Sequence, residues 1–171
     1  MTTKGVSIIE LDVQELIKEL NKAFCDEWLA YYQYWIGAEV VAGMGKHAVE
    51  SEFREHAQEE LEHATELSKR IIQLGGTPII DPREWFKLSS CGYIAPEDPY
   101  VTVLLEQNIK SEQCAIGVYS KLLKMTAGGK DPVTHNLMLH ILEEEVEHES
   151  DLQQIIEDIA LTHKRHQECC K

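Results

Sequence analysis

A nearly identical five-residue word occurs twice in this 171-residue chain, Glu59-Glu60-Leu61-Glu62-His63 and Glu144-Glu145-Val146-Glu147-His148. Each contains Glu-x-x-His. At about 100° per residue, an i, i+3 pair on an α-helix lies only about 60° apart around the axis. Each word therefore puts a carboxylate and an imidazole one turn apart on one face. A second repetition fixes the frame: the interval from Glu27 to Glu60 is the same as the interval from Glu112 to Glu145. Ala30 and Tyr34 follow Glu27 at the same offsets at which Ala115 and Tyr119 follow Glu112. A residue seven positions on returns to within about 20° of its starting face. The chain reads as a duplicated helical hairpin, with Glu…Tyr on one helix and Glu-x-x-His on the next.

Turn chemistry places four long helices. The first covers about 12–42, with Leu11, Val13 and Leu16 leading into Leu20, Ala23 and Phe24, and stops at Gly43 and Gly45. The second covers about 46–74 and is closed by Gly75-Gly76-Thr77-Pro78. The third, about 98–125, opens on Asp98-Pro99, and the fourth, about 131–163, opens on Asp131-Pro132, each an N-cap followed by a first-turn proline. Two short connections and one long one predict an all-α four-helix bundle whose second and third helices are joined by a crossover. Within that crossover, Asp81-Pro82-Arg83-Glu84-Trp85-Phe86 predicts a short helix, with Trp85 and Phe86 packing onto the bundle. A single domain is expected over 1–171, with the bundle over about 12–163 and a short polar tail over 164–171.

Charge narrows the function classes. Thirty Asp and Glu against 16 Lys and Arg leave a formal net charge of −14, which opposes general nucleic-acid affinity. Two divalent ions would cancel four clustered Glu, and the remaining excess reads as solvated helix faces. No apolar run approaches the ~20 residues that span a bilayer. The N-terminal segment lacks the apolar stretch of a secretory signal. A cytoplasmic protein is expected.

Carboxylate oxygens and imidazole nitrogens suit iron and manganese. One Glu from each of two helices and a Glu-x-x-His from each of two others is the general di-metal arrangement of four-helix bundles. Glu27, Glu60, His63, Glu112, Glu145 and His148 fill all six places. Cys114 lies about 200° from Glu112 around its helix, which points it away from the ligand face.

With those motifs the chain resembles the ferritin-like superfamily, in its bacterioferritin and Dps-like branches. Glu27-Trp-Leu-Ala-Tyr-Tyr-Gln-Tyr34 is similar to the group's first-helix motif, Glu112-Gln-Cys-Ala-Ile-Gly-Val-Tyr119 to its third-helix motif, and Ile71-Ile72-Gln73-Leu74-Gly75-Gly76-Thr77-Pro78 to its exit from the second helix. The likeness runs over roughly 12–163. It implies a ferritin-like fold and a ferroxidase. Two iron ions per subunit would be oxidised by hydrogen peroxide or dioxygen, and ferric mineral would be laid down in a homo-oligomeric cage that protects against oxidative stress. Manganese in place of iron stays open. Leu61 stands where bacterioferritin carries its haem-binding Met, so no haem is expected. The stretch after His148 is too short to finish the fourth helix and add bacterioferritin's fifth, which favours a Dps-type dodecamer. Cys91 and Cys114 resemble the paired cysteines of the Dps-like thioferritins, implying a redox-active or structural disulfide beside the site. The alternative is two ordinary buried thiols, since disulfides are rare in the cytosol.

Tyr34 and Tyr119 both read as core aromatics with satisfied hydroxyls; Tyr34 also occupies the place of a tyrosine that can supply an electron in related ferroxidases. Glu59 and Glu144, four residues before His63 and His148, either orient a ligand histidine or face solvent. Cys25 reads as helix packing. His47, His56, His135 and His140 have no twin and are treated as ordinary. Cys169 and Cys170 close the tail, where metal capture or crosslinking is the only suggestion. Other readings are a manganese catalase and a rubrerythrin-like peroxidase, although no Cys-x-x-Cys pairs of a rubredoxin module occur. The non-enzymatic alternative is a Dps-type DNA-protecting protein, opposed by an N-terminal arm whose one basic residue before the first long helix is Lys4.

Overall fold

The computed structural model describes residues 3–169. Their helices are α1 (Lys4–Ser7), α2 (Val13–Val40), α3 (Lys46–Gln73), α4 (Trp85–Leu88, led in by a 3₁₀ turn at Pro82–Glu84), α5 (Val101–Thr126) and α6 (Pro132–Cys169). The long helices α2, α3, α5 and α6 are the four predicted ones. They form the expected bundle, α2 packing along α3 and α5 along α6, with the two hairpins meeting through α2–α5 and α3–α6.

Local chemistry explains the boundaries. Asp12 caps α2 by accepting from the amides of Gln14 and Glu15 at 2.9 and 3.2 Å. Asp131 caps α6 by accepting from the Thr134 amide at 3.1 Å, with Pro132 in the first turn as predicted. At the end of α3 the Gly75 amide reaches the Ile72 carbonyl and the Gly76 amide reaches that of Ile71, a Schellman closure that needs the positive φ of Gly75.

Two boundaries differ from expectation. The helix predicted to start at Asp98 starts at Val101. The Ala42 amide donates to the Pro99 carbonyl at 2.8 Å and the Val101 amide to the Ala42 carbonyl at 3.0 Å, a parallel bridge that holds Pro99 and Tyr100 extended. Gly43 makes this approach possible: a Cβ there would lie 2.8 Å from the Tyr100 ring, and its φ of +112° already disfavours a side chain. At the other end, α6 continues past the predicted residue 163 to Cys169. Cys170, and with it the suggested tail chemistry, lies outside the described residues.

The crossover climbs the outside of α2, which holds it at successive levels. Asn21 donates to the Thr77 carbonyl and accepts from the Ile79 amide. Trp28 stacks on Trp85 with ring centroids 5.1 Å apart. Asp26 accepts from the amides of Ser90 and Cys91 at 2.8 and 2.9 Å and from the Ser89 hydroxyl. Higher up, Gln33 accepts from the Ile94 amide at 2.9 Å. Trp85 packs on the core as expected, but Phe86 does not; it is 63% exposed, because the short α4 has one face to give the bundle and Trp85 takes it.

The interior is divided in two. Leu16, Leu20, Phe24, Leu67, Ile71, Leu122 and Ile141 form one apolar plug, and Val49, Phe53, Leu104, Leu105 and Leu152 form the other. Cys25 is fully buried in the first, a free thiol pushed up to about 12 by burial, which leaves it an unreactive packing group. Between the plugs lies a charged layer.

Candidate metal centre

Each long helix sends acidic or imidazole groups into that layer: Glu27 from α2, Glu60 and His63 from α3, Glu112 from α5, Glu145 and His148 from α6. All six are 1–2% exposed. Four buried carboxylates without counter-charge would cost several kcal/mol each. Nothing but a strong compensating interaction keeps them there.

Their atoms fall into two overlapping sets. Glu27, Glu60, His63 and Glu145 each offer one atom within 4.8 Å of the others, and so do Glu60, Glu112, Glu145 and His148. Glu60 and Glu145 belong to both sets. His63 Nδ1 lies 3.3 Å from Glu27, 3.1 Å from Glu60 and 3.4 Å from Glu145, and His148 Nδ1 lies 3.4 Å from Glu60. Glu27 Oε2, Glu60 Oε1, both oxygens of Glu145 and His148 Nδ1 are buried without a hydrogen-bond partner. Buried polar atoms are almost always satisfied. Five orphans converging on one spot fit a pair of cations, with Glu60 and Glu145 shared between them.

Without metal the cluster balances itself by protonation. Burial, reinforced by Glu60 and Glu145, pushes the Glu27 carboxyl well above the usual range, and burial with the same two neighbours does this to Glu112. Burial also acts against charge on Glu60, but the His148 imidazole beside it and the hydrogen bond from His63 outweigh it and hold that carboxylate well down. The imidazoles respond in kind. Burial opposes their charge, yet Glu145, Glu27 and Glu60 raise His63, and Glu60 raises His148 to about 9. Binding of cations would displace these protons.

The surrounding partners are crossed. His63 Nε2 donates to Glu144 on α6 at 2.7 Å, and His148 Nε2 donates to Glu59 on α3 at 2.9 Å. Each acidic residue serves the histidine of the opposite helix, not the one four residues on in its own. A proton fixed on Nε2 leaves Nδ1 as the atom facing the centre. The tyrosines cross too. Tyr34 donates to Glu112, and Tyr119 donates to Glu27 at 2.5 Å. Tyr119, given less weight from sequence, is the equivalent of Tyr34.

The cysteines also meet. Cys91 and Cys114 are joined by a disulfide, with Cα atoms 5.7 Å apart. Cys91 and Gly92, with Ala30, Gln33, Ser111 and Ala115, wall a narrow approach of about 20 Å³ that reaches Glu27 and Glu112 between α2 and α5. That is room for about one water molecule. His56 is the residue that sequence reasoning missed. It is buried, and its ring stacks on that of His148 at 4.1 Å. The available signal was its position four before Glu60 and seven before His63, on the ligand face of α3. His47 and His140 are exposed, and His135 contacts the Thr126 hydroxyl at 3.2 Å, so these three are ordinary as expected.

A bundle with this centre defines a class, and comparison with known proteins agrees. The ferritin-like domain family matches residues 17–162, and the chain belongs to that family. It is 48% identical to a dodecameric thioferritin, the bacterioferritin-related protein of Bacteroides fragilis, whose structure superposes with a TM-score of 0.91 over 94% of this chain and 96% of that one. It is 36% identical to the DNA protection during starvation protein of Pyrococcus furiosus over 85% of this chain and 79% of that protein. The bacterioferritin of Desulfovibrio desulfuricans, a di-iron protein, is 27% identical with a TM-score of 0.71 over 84% of this chain and 78% of that one. Among the described residues no helix is long and apolar enough to cross a membrane.

Proposed function

We propose that this chain is a ferroxidase subunit of an iron-storing cage. Glu27, Glu60, His63 and Glu145 hold one Fe(II), and Glu60, Glu112, Glu145 and His148 hold the second. Hydrogen peroxide or dioxygen takes one electron from each iron, and Fe(III) leaves for mineral inside the cage. The observation that carries this reading is the convergence of five orphaned buried atoms on two overlapping four-residue sets. Carboxylate with imidazole is donor chemistry that suits iron, and manganese as well. Tyr34 and Tyr119 are placed to donate an electron or a proton through the carboxylates they touch. The Cys91–Cys114 link, as a structural or redox-active clamp, holds one wall of the outer approach.

The cage is proposed as a dodecamer by similarity to the Bacteroides fragilis protein, and the setting as cytoplasmic. Leu61 beside Glu60 gives haem no ligand. The name of the Pyrococcus furiosus relative concerns DNA, but a net charge of −14 on this chain works against phosphate contacts.

The test is anaerobic loading of the apo-protein with Fe(II), then separate addition of peroxide and oxygen while ferric absorbance is followed. Rapid oxidation that disappears in the Glu60→Ala/Glu145→Ala variant supports the ferroxidase, and the faster oxidant defines its subtype. Oxidation unchanged in that variant removes the centre from the reaction. Oxygen evolution from peroxide with manganese bound would point to a catalase.

A further inference from the structure

The charged layer is enclosed on most sides. The two apolar plugs bound it at either end. Toward the α3–α6 face the crossed pairs His63–Glu144 and His148–Glu59 close it. Among the described residues, the way in that touches all four carboxylates lies between α2 and α5. It is the narrow approach of about 20 Å³, which runs from Cys91 and Gly92 to Glu27, Glu60, Glu112 and Glu145. Its width is set by the repeat. Ala30 and Ala115 line it from opposite helices, each three positions after a glutamate of the layer. An i, i+3 neighbour lies about 60° around the axis, so each methyl group stands on its glutamate's own face, one turn along. In a close-packed interior a gap there persists only while both side chains stay small.

A pair of alanines alone would be ordinary helix packing. What distinguishes this place is Asp26, which lines the same approach and is 6% exposed. Its Oδ1 accepts from the Ser89 hydroxyl and from the amides of Ser90 and Cys91, whereas its Oδ2 is buried without a partner. That oxygen is not one of the five atoms assigned to the ions. A buried acceptor left unmatched is costly unless a guest brings it a donor.

We propose that this approach is the entry for the oxidant and filters it by size. Ala30 and Ala115 pass hydrogen peroxide or dioxygen and exclude organic hydroperoxides, while Asp26 Oδ2 accepts a hydrogen bond from hydrogen peroxide in passage. Room for about one water molecule accommodates a diatomic core with a small side-chain adjustment, but not a branched alkyl group. Intrinsic reactivity does not make this distinction. Either peroxide takes one electron from each of two Fe(II), its O–O bond breaks, and two protons complete the products, water alone or water and an alcohol. Access alone separates them. The filter rests on the ferroxidase reading, since it governs entry to that centre.

Stopped-flow mixing of anaerobic, Fe(II)-loaded protein with hydrogen peroxide or with tert-butyl hydroperoxide tests the filter, with Glu60→Ala/Glu145→Ala as the background of oxidation outside the centre. Wild type is expected to favour hydrogen peroxide by at least about tenfold in second-order rate constant, the scale on which a tight apolar wall rejects added carbon. Ala30→Gly/Ala115→Gly should speed tert-butyl hydroperoxide and shrink that preference. Ala30→Val/Ala115→Val should slow hydrogen peroxide while Fe(II) still binds with wild-type stoichiometry, a split that loss of the fold would not produce. Asp26→Asn should raise the KM for hydrogen peroxide more than that for dioxygen, which has no proton to donate. Equal rates for the two peroxides in wild type, both lost in Glu60→Ala/Glu145→Ala, would overturn the filter and leave the centre standing. A preference that survives unchanged in both the Gly and the Val pairs would likewise overturn it. Oxidation unaffected by Glu60→Ala/Glu145→Ala would overturn the filter and the centre together.

Discussion

The crossed pairing of Glu144 with His63 and of Glu59 with His148 yields a prediction that same-helix pairing contradicts. Replacing Glu144 by Ala removes the acceptor from His63 Nε2 at 2.7 Å and touches nothing on His148. A hydrogen bond between charged groups contributes about 1.5–3 kcal/mol. The Glu144 side chain is 33% exposed while His63 is buried, so water will replace part of the interaction. The lower end, about 1.5 kcal/mol, is appropriate and corresponds to about a tenfold loss of affinity for the ion that His63 is proposed to hold. That agrees with the roughly 10- to 100-fold effects typical of partners that orient metal-bound histidines. The assay is a Co(II) titration followed by visible absorption in a double-mutant cycle. Glu144→Ala should couple to His63→Ala by about 1.5 kcal/mol, and to His148→Ala by no more than about 0.5 kcal/mol. Coupling that follows Glu144–His148 would refute the crossed geometry and return the pairing to one helix.

Four further outcomes are expected. Arg70 donates to both oxygens of buried Asp131 at 2.9 and 2.8 Å, so Arg70→Ala should destabilise by about 3–5 kcal/mol in urea unfolding. Burial would raise the Asp131 carboxyl, but Thr134 and Arg70 outweigh it and lower it. Its contribution is therefore complete above about pH 4, the unfolded value, and is lost as pH falls through the lower folded value; Asp131→Asn should flatten that acid limb of a stability–pH profile. Reduction of Cys91–Cys114, which closes a sequence separation of 23, should lower stability by about 3 kcal/mol in matched melts with and without reductant. Tyr34→Phe and Tyr119→Phe each strip a donor from a buried carboxylate, and each should cost about 1–3 kcal/mol by the same urea assay, with similar values because the two positions are equivalent.

The repeated spacing made the four helices and the six residues they turn into the buried layer legible, because period and pattern are local properties. The crossings were not, since two helices packed face to face bring Glu144 to His63 rather than to its own i+4 neighbour, and spacing along one chain segment carries no information about the opposite face. His56 escaped for a related reason. In the second half of the repeat its place is taken by Ile141, so a search for twins passes over it. The start of α5 was displaced by the Ala42–Tyr100 bridge, a contact between segments far apart in the chain that no capping signal encodes. Phe86 was misplaced because a pair of adjacent aromatics on a one-turn helix cannot both face the bundle.

The central claim is that two ions lie between the four long helices, with Glu60 and Glu145 shared. Crystals loaded anaerobically with Fe(II) and measured on both sides of the iron absorption edge test it directly. Two anomalous peaks per chain are expected, one beside Glu27 and His63, the other beside Glu112 and His148, both touching Glu60 and Glu145. Iron found only outside this layer, or a single peak that leaves Glu112 and His148 unengaged, would contradict the paired centre.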